Sequence, residues 1–125
     1  MKFCTAINCI DGRVQLPVIQ YLQKRFDAEY VDSITEPGPN KILAEGTDAA
    51  LVQNILHQLR ISVEKHSSVG LAVAGHYDCA ANTVGREEQT VQTQNAIQFL
   101  RQHHPALLIL GLWVVEHWAV HEVVS

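Results

Sequence analysis

Apolar positions along the chain fall into two alternating rhythms, one suited to strands and one to helices. Lys2 to Asn8 is a short β-prone run, followed by Cys9, Ile10, Asp11, Gly12 and Arg13. Val14, Val18, Tyr21, Leu22 and Phe26 then recur at helical spacing. Pro17 is placed near the first turn of that helix, where a missing N–H is tolerated. Ala28 to Ile34 reads as a second strand. It runs into Thr35, Glu36, Pro37, Gly38, Pro39 and Asn40, a segment expected to continue neither a strand nor a helix. Thr47 and Asp48 offer a helix N-cap, and Val52, Ile55, Leu56, Leu59 and Val63 line one face of the helix that follows.

Val69 to Ala74 is apolar on both faces, as a central strand of a parallel sheet should be, and it ends at Gly75 and His76. Residues 84–104 are predicted as a third helix with a weaker apolar face of Val84, Val91, Ile97 and Leu100. Pro105 stops it. Leu107 to Val115, with Gly111 inside, is a fourth strand, and Trp118 to Val124 a returning antiparallel edge strand. Strands alternating with helices imply βαβ units. The expected class is α/β: three layers, a mostly parallel sheet of about four strands plus an antiparallel edge strand, and helices on both faces. The chain shows no internal repeat, and its 125 residues fit a single domain, 1–125.

Composition narrows the functions. Hydrophobic residues make up 47% and charged residues 18%, enough for a real core and too apolar for disorder. The nine Lys and Arg are scattered through a chain of net charge −4, which weighs against nucleic acid as the main partner. A small mobile substrate needs no such electrostatic footprint. No apolar stretch approaches the roughly 18 residues of a membrane span, and residues 1–10 do not read as a signal peptide. A cytoplasmic protein is expected. Three cysteines, an odd number, do not make a disulfide framework.

In an open α/β sheet, sites form beyond the carboxyl ends of the strands, where the strand order reverses. The loop from Cys9 to Arg13 follows the first strand, and Gly75 to Cys79 follows the third. If those strands are neighbours, both loops open onto one crevice. Two thiolates and one imidazole suit zinc, so Cys9, His76 and Cys79 are the candidate ligands. Three protein ligands leave a coordination position open, the mark of a catalytic site. Arg13 can keep Asp11 ionised and therefore acceptor-only. Such a group beside the fourth position would take the hydrogen bond of a zinc-bound hydroxide and aim its lone pair. Two thiolates also cancel the zinc charge, so activity is expected to favour mildly alkaline pH.

On the residues alone, other readings stay open. Cys9 and Cys79 could be buried core thiols with a core histidine, or a redox pair, and Asp11 with Arg13 a plain ion pair. Cys4 reads as core filler. His117 and His121 read as solvated or interface residues, His57 and His66 as surface positions, and His103 and His104 as cations suited to a helix C-terminus. Tyr77 and Asp78 either contact the pocket or shape its turn. Trp113 and Trp118 suit either core or a dimer face.

The pattern C-x-D-x-R followed by H-x-x-C, each after a parallel strand, resembles the β-class carbonic anhydrases, and the likeness covers nearly the whole chain. The resemblance implies zinc on Cys9, His76 and Cys79, with Asp11 and Arg13 as a dyad that gates and orients the fourth ligand. It implies a zinc lyase that reversibly hydrates carbon dioxide to bicarbonate, a homodimer or higher homo-oligomer, and Asp11 as a fourth zinc ligand in a resting form. The chain also departs from the family. It is shorter than typical members, Ala80 stands where they have Gly, and residues 35–40 replace an Arg-Asn-Ala-Gly-like segment that helps build the substrate pocket. Two further functions are therefore weighed: hydrolysis of carbonyl sulfide or carbon disulfide on the same scaffold, and a non-enzymatic zinc-binding or redox-responsive module.

Overall fold

Strand β1 (Phe3–Cys9) lies inside a five-stranded sheet of order β2-β1-β3-β4-β5. Strands β2 (Tyr30–Glu36), β3 (Leu71–His76) and β4 (Ile109–Val114) run parallel to β1, and β5 (Val120–Val123) closes the edge antiparallel to β4. The structure is a computed structural model and describes residues 1–123; Val124, expected to finish the edge strand, lies outside the described residues.

Side-chain alternation on β1 divides the core. Cys4 and Ala6 point to one face, where they meet Val14, Val18 and Leu22 of helix α1 (Gly12–Arg25) together with Ala72, Ala74 and Leu112. Ile7 points to the other. There it packs with Leu43 of α2 (Pro39–Glu45), Ile55 and Leu59 of α3 (Ala49–Lys65), and Ile97 and Leu100 of α4 (Arg86–His103). Both faces are thus covered, and every residue of β3 and β4 is buried, as the near-continuous apolar runs require. The three-layer α/β fold is the one expected.

Several local expectations are corrected. Thr35 and Glu36 do continue β2, and Pro39 and Asn40 begin a helix. Gly38 makes the turn in the left-handed region (φ 63°), and Pro39 then occupies the start of α2, where its missing N–H costs nothing. Pro17 sits beyond the first turn, inside α1, so the carbonyl of Arg13 loses its helical donor. Helix α4 does not turn Val91 inward; that side chain is exposed. Its buried face is Gln89, Thr93, Ala96, Ile97 and Leu100. The weak apolar periodicity has a simple cause: the half nearest the carboxyl ends of the strands is polar.

Polar side chains pin the edges. Tyr21 Oη and Arg25 Nε both donate to Glu122 Oε2, each at 3.1 Å, tying β5 to α1. Under β2, Ser62 Oγ and His66 Nδ1 each lie 2.7 Å from Asp32 Oδ2, and Ser62 Oγ is 2.7 Å from the fully buried Thr5. His66 is exposed, as expected, yet it stacks on Phe3 with centroids 4.1 Å apart. No helix among the described residues is long and apolar enough to cross a membrane.

Leu59 of α3 is fully buried in the core on the Ile7 face of the sheet. Truncating it in Leu59→Ala should cost about 2–5 kcal/mol, read from the midpoint of a urea denaturation curve. A loss below about 1 kcal/mol would contradict this packing.

Candidate metal centre

The order β2-β1-β3 means that the chain leaves β1 in one direction and later returns on its other side, so the switch point lies between β1 and β3. Cys9 is the last residue of β1 and His76 the last of β3. Cys79 follows in a tight turn in which Asp78 adopts a left-handed backbone (φ 57°). The two candidate loops therefore share one crevice.

One donor atom from each of Cys9, His76 and Cys79 lies within 4.8 Å of the other two. All three residues are buried. The Cys9 and Cys79 sulfurs are 3.9 Å apart, and both thiols are free. That spacing matches tetrahedral geometry, since two Zn–S bonds of about 2.3 Å place their sulfurs about 3.8 Å apart. His76 Nδ1 lies 2.7 Å from the carbonyl of Tyr77. A carbonyl only accepts, so Nδ1 carries the proton and Nε2 holds the lone pair. Nε2 is buried and has no hydrogen-bond partner. A buried polar atom left bare is costly, and a cation shared with two thiolates would satisfy it. The donor set fits zinc.

Electrostatics favour deprotonation at one sulfur. Burial pushes the Cys9 thiol up, but the His76 side chain and the backbone amides of Gly38 and Asp11 more than offset it and bring it to about 7. Burial and the neighbouring Cys9 charge push Cys79 up. His76 is opposed by burial yet raised overall by Cys9 and the Tyr77 carbonyl. Cys4, on the same strand as Cys9, is driven to about 11, by burial first and then by Asp32. It is core filler, as expected.

Asp11 caps α1, accepting the Arg13 backbone N–H at 2.9 Å. Arg13 also closes a two-pronged contact, Nε to Oδ1 at 3.0 Å and Nη2 to Oδ2 at 2.7 Å. These bonds hold the Asp11 carboxyl at about 2, so it is an acceptor only. Asp11 is outside the three-donor cluster. The guanidinium reaches further than the sequence suggests. It donates to Asp78 Oδ2 at 3.2 Å and to the Asp78 carbonyl at 3.1 Å, and lies 4.5 Å from the centroid of a Trp118 ring. Arg13 thus bridges the Cys9 loop and the Cys79 loop. His117 and His121 stand exposed, apart from the cluster.

The supporting residues escaped the sequence reading. Gln15 Nε2 donates to the carbonyls of Cys9 (2.6 Å) and Asp11 (2.9 Å). Asn40, Asn82 and Gln89 form a buried amide cluster beneath the His76 loop. Their available signal was the polar half of α4: Gln89 and Thr93 lie in helical register with the apolar Ala96, Ile97 and Leu100. A groove of ≈ 530 Å³ runs from Tyr77 and Asp78 towards Trp113 and Val115.

Known proteins resemble this chain in sequence pattern and in fold. Residues 1–124 match the model of a family described as "Putative carbonic anhydrase". No curated protein matches the chain. Among solved structures, a carbonic anhydrase from Glaciozyma antarctica superposes with a TM-score of 0.67 at 18% identity, covering 96% of this chain and 81% of that one. Tetrameric β-carbonic anhydrases from Sordaria macrospora give 0.59 at 12% identity, over 99% of this chain and 81% of theirs. A β-carbonic anhydrase of Aspergillus fumigatus gives 0.59 at 12%, over 99% of this chain and 90% of that one. At these identities the superpositions establish the fold, and the family match, which spans nearly every residue, establishes that this chain belongs to that carbonic anhydrase family.

Proposed function

We propose that the chain is a zinc-dependent lyase converting carbon dioxide and water to bicarbonate and a proton, reversibly. Cys9 Sγ, His76 Nε2 and Cys79 Sγ would hold the ion. The observation that carries this reading is the bare, buried Nε2 beside two free thiols 3.9 Å apart. Zinc bound there would supply Lewis acidity, lowering the pKa of a bound water far below its bulk value. With two thiolates offsetting its charge, the polarisation is weaker than at a three-histidine site, and activity should rise at alkaline pH.

The chain's own residues orient the reaction. Asp11, ionised and acceptor-only, takes the O–H of the attacking oxygen and so turns a lone pair towards the substrate carbon. Arg13 holds Asp11 through both prongs of its guanidinium fork and through its own backbone N–H. The released proton passes to water or buffer. An uncharged substrate also suits a net charge of −4, because it needs no attracting field.

The working unit is proposed to be all 125 residues, assembled as a homo-oligomer. Ile10 and Tyr77, beside the two metal loops, expose 58% and 45% of their surface, which is much apolar area to leave wet at a site. The Sordaria macrospora relatives are described as tetrameric. Free thiols at Cys4, Cys9 and Cys79 suit a reducing compartment such as the cytoplasm. One observation favours a second reading: sulfurs 3.9 Å apart could close a disulfide once metal is lost, making the site redox-responsive.

Three outcomes are expected. Purified protein should carry one zinc per chain and hydrate carbon dioxide with a rate that climbs from about pH 7 to about pH 9, while Cys9→Ser loses both. Zinc without hydration would move the substrate to carbonyl sulfide or carbon disulfide, and no metal at all would overturn the site. Asp11→Asn should keep its zinc but lose about 100-fold in kcat by stopped-flow assay; unchanged kcat would remove Asp11 from the reaction. Arg13→Ala should raise the Asp11 titration from about 2 towards the ordinary 3.8, followed by carboxyl NMR. The sign is that of a depressed carboxyl: the pair adds stability above the ordinary value and loses it as pH falls towards 2.

A further inference from the structure

Pairing between β1 and β3 ends at Ile7 and Val73, while β3 stays paired with β4 as far as His76 and Val114. The backbone of His76 therefore has no β1 partner where the two strands separate to form the crevice. Gln89, one turn into α4 and 1% exposed, supplies one. Its Oε1 accepts the His76 N–H at 3.2 Å, and its Nε2 donates to the His76 carbonyl at 3.0 Å. The same Nε2 lies 3.1 Å from the Val84 carbonyl and 3.3 Å from that of Asn82, in the segment that leads away from Cys79. One amide thus grips the ligand histidine from both sides of its backbone and ties it to the strand of loop that carries the second thiol.

The surroundings are shaped around that amide. A Cβ on Gly75 would come within 2.7 Å of Gln89 Oε1 and 2.9 Å of Asn40 Nδ2, so glycine there keeps the space the amide occupies. Asn40 Nδ2 in turn donates to Gln89 Oε1 at 3.4 Å. An apolar residue at position 89 would continue the core stripe of α4 and fill the volume. It would also strand a buried N–H and three carbonyls.

We propose that Gln89 is a positioning residue for the metal: its side-chain amide replaces the missing strand partner of His76 and holds the His76–Cys79 limb in ligand geometry before an ion arrives. This rests on the zinc reading above. Preorganised limbs bind metal more tightly because the chain does not have to order itself on binding.

The test measures zinc and cobalt affinity by chelator competition, with the absorption bands of the cobalt(II) protein as a report on ligand geometry. The wild-type protein should bind one ion with the thiolate-to-cobalt bands of a tetrahedral site. Gln89→Met, which keeps length and volume but no hydrogen bonds, should weaken affinity about 10- to 100-fold and shift those bands. Gly75→Ala, which displaces the amide without deleting it, should act in the same direction and carries the test if Gln89→Met does not fold. Leu59→Ala is the control, because it loses core stability without removing any of the Gln89 hydrogen bonds and should keep wild-type affinity and bands. Gln89→Met or Gly75→Ala with wild-type affinity and spectrum would overturn the role of Gln89 while leaving the zinc site standing. An equal loss in Leu59→Ala would overturn it too, by showing that any loss of stability suffices. A wild-type protein that takes up neither ion would remove the zinc reading, and the Gln89 proposal with it.

Discussion

Strands β1 and β3 pair as far as Ile7 and Val73 and then separate, and the consequences of that separation reach most of the molecule. A parallel pair that opens leaves backbone groups facing the gap, and buried backbone groups must be satisfied. Glutamines answer on both sides: Gln15 from α1 takes the carbonyls of Cys9 and Asp11, and Gln89 from α4 takes both backbone groups of His76. The gap between them is where Cys9, His76 and Cys79 converge. What looks like a metal site placed on a sheet is better understood as a sheet opened at one end and braced by side-chain amides.

Cys4 and Cys9 show how far environment governs chemistry here. Five residues apart on one strand, one thiol is pushed to about 11 and the other drawn to about 7. Burial acts on both. Only Cys9 stands at the strand end, where His76 and two backbone amides offset the loss of water. Position along the strand, more than residue type, separates an inert core thiol from a candidate ligand.

Much of this was legible in the residues. The alternation of apolar runs and helical stripes predicts the α/β sheet, and the two motifs fall at strand ends, so Cys9, His76 and Cys79 meet on the one condition that β1 and β3 are neighbours, which the strand order supplies. Helix α2 was not legible. Pro37, Gly38 and Pro39 punctuate the chain like a loop, and only the left-handed turn at Gly38 converts Pro39 into a helix start. The brace residues stayed hidden for another reason. Periodicity analysis looks for apolar residues, whereas the inward face of α4 begins with Gln89 and Thr93. The reach of Arg13 to Asp78 and Trp118 depends on a tertiary approach that neither short motif encodes.

Pro17 carries a last consequence. Because it has no N–H, the Arg13 carbonyl lacks its usual donor, and the ladder of α1 is interrupted one turn from its start. The opening turn is held instead by side chains: Asp11 on the Arg13 amide and Gln15 on the loop carbonyls. Helical cooperativity therefore does not transmit fully from the long packed part of α1 to the turn bearing Arg13. One backbone hydrogen bond fewer joins Arg13 to the body of α1, so the geometry of the dyad leans on its own side-chain contacts and on the packing of neighbouring Val14.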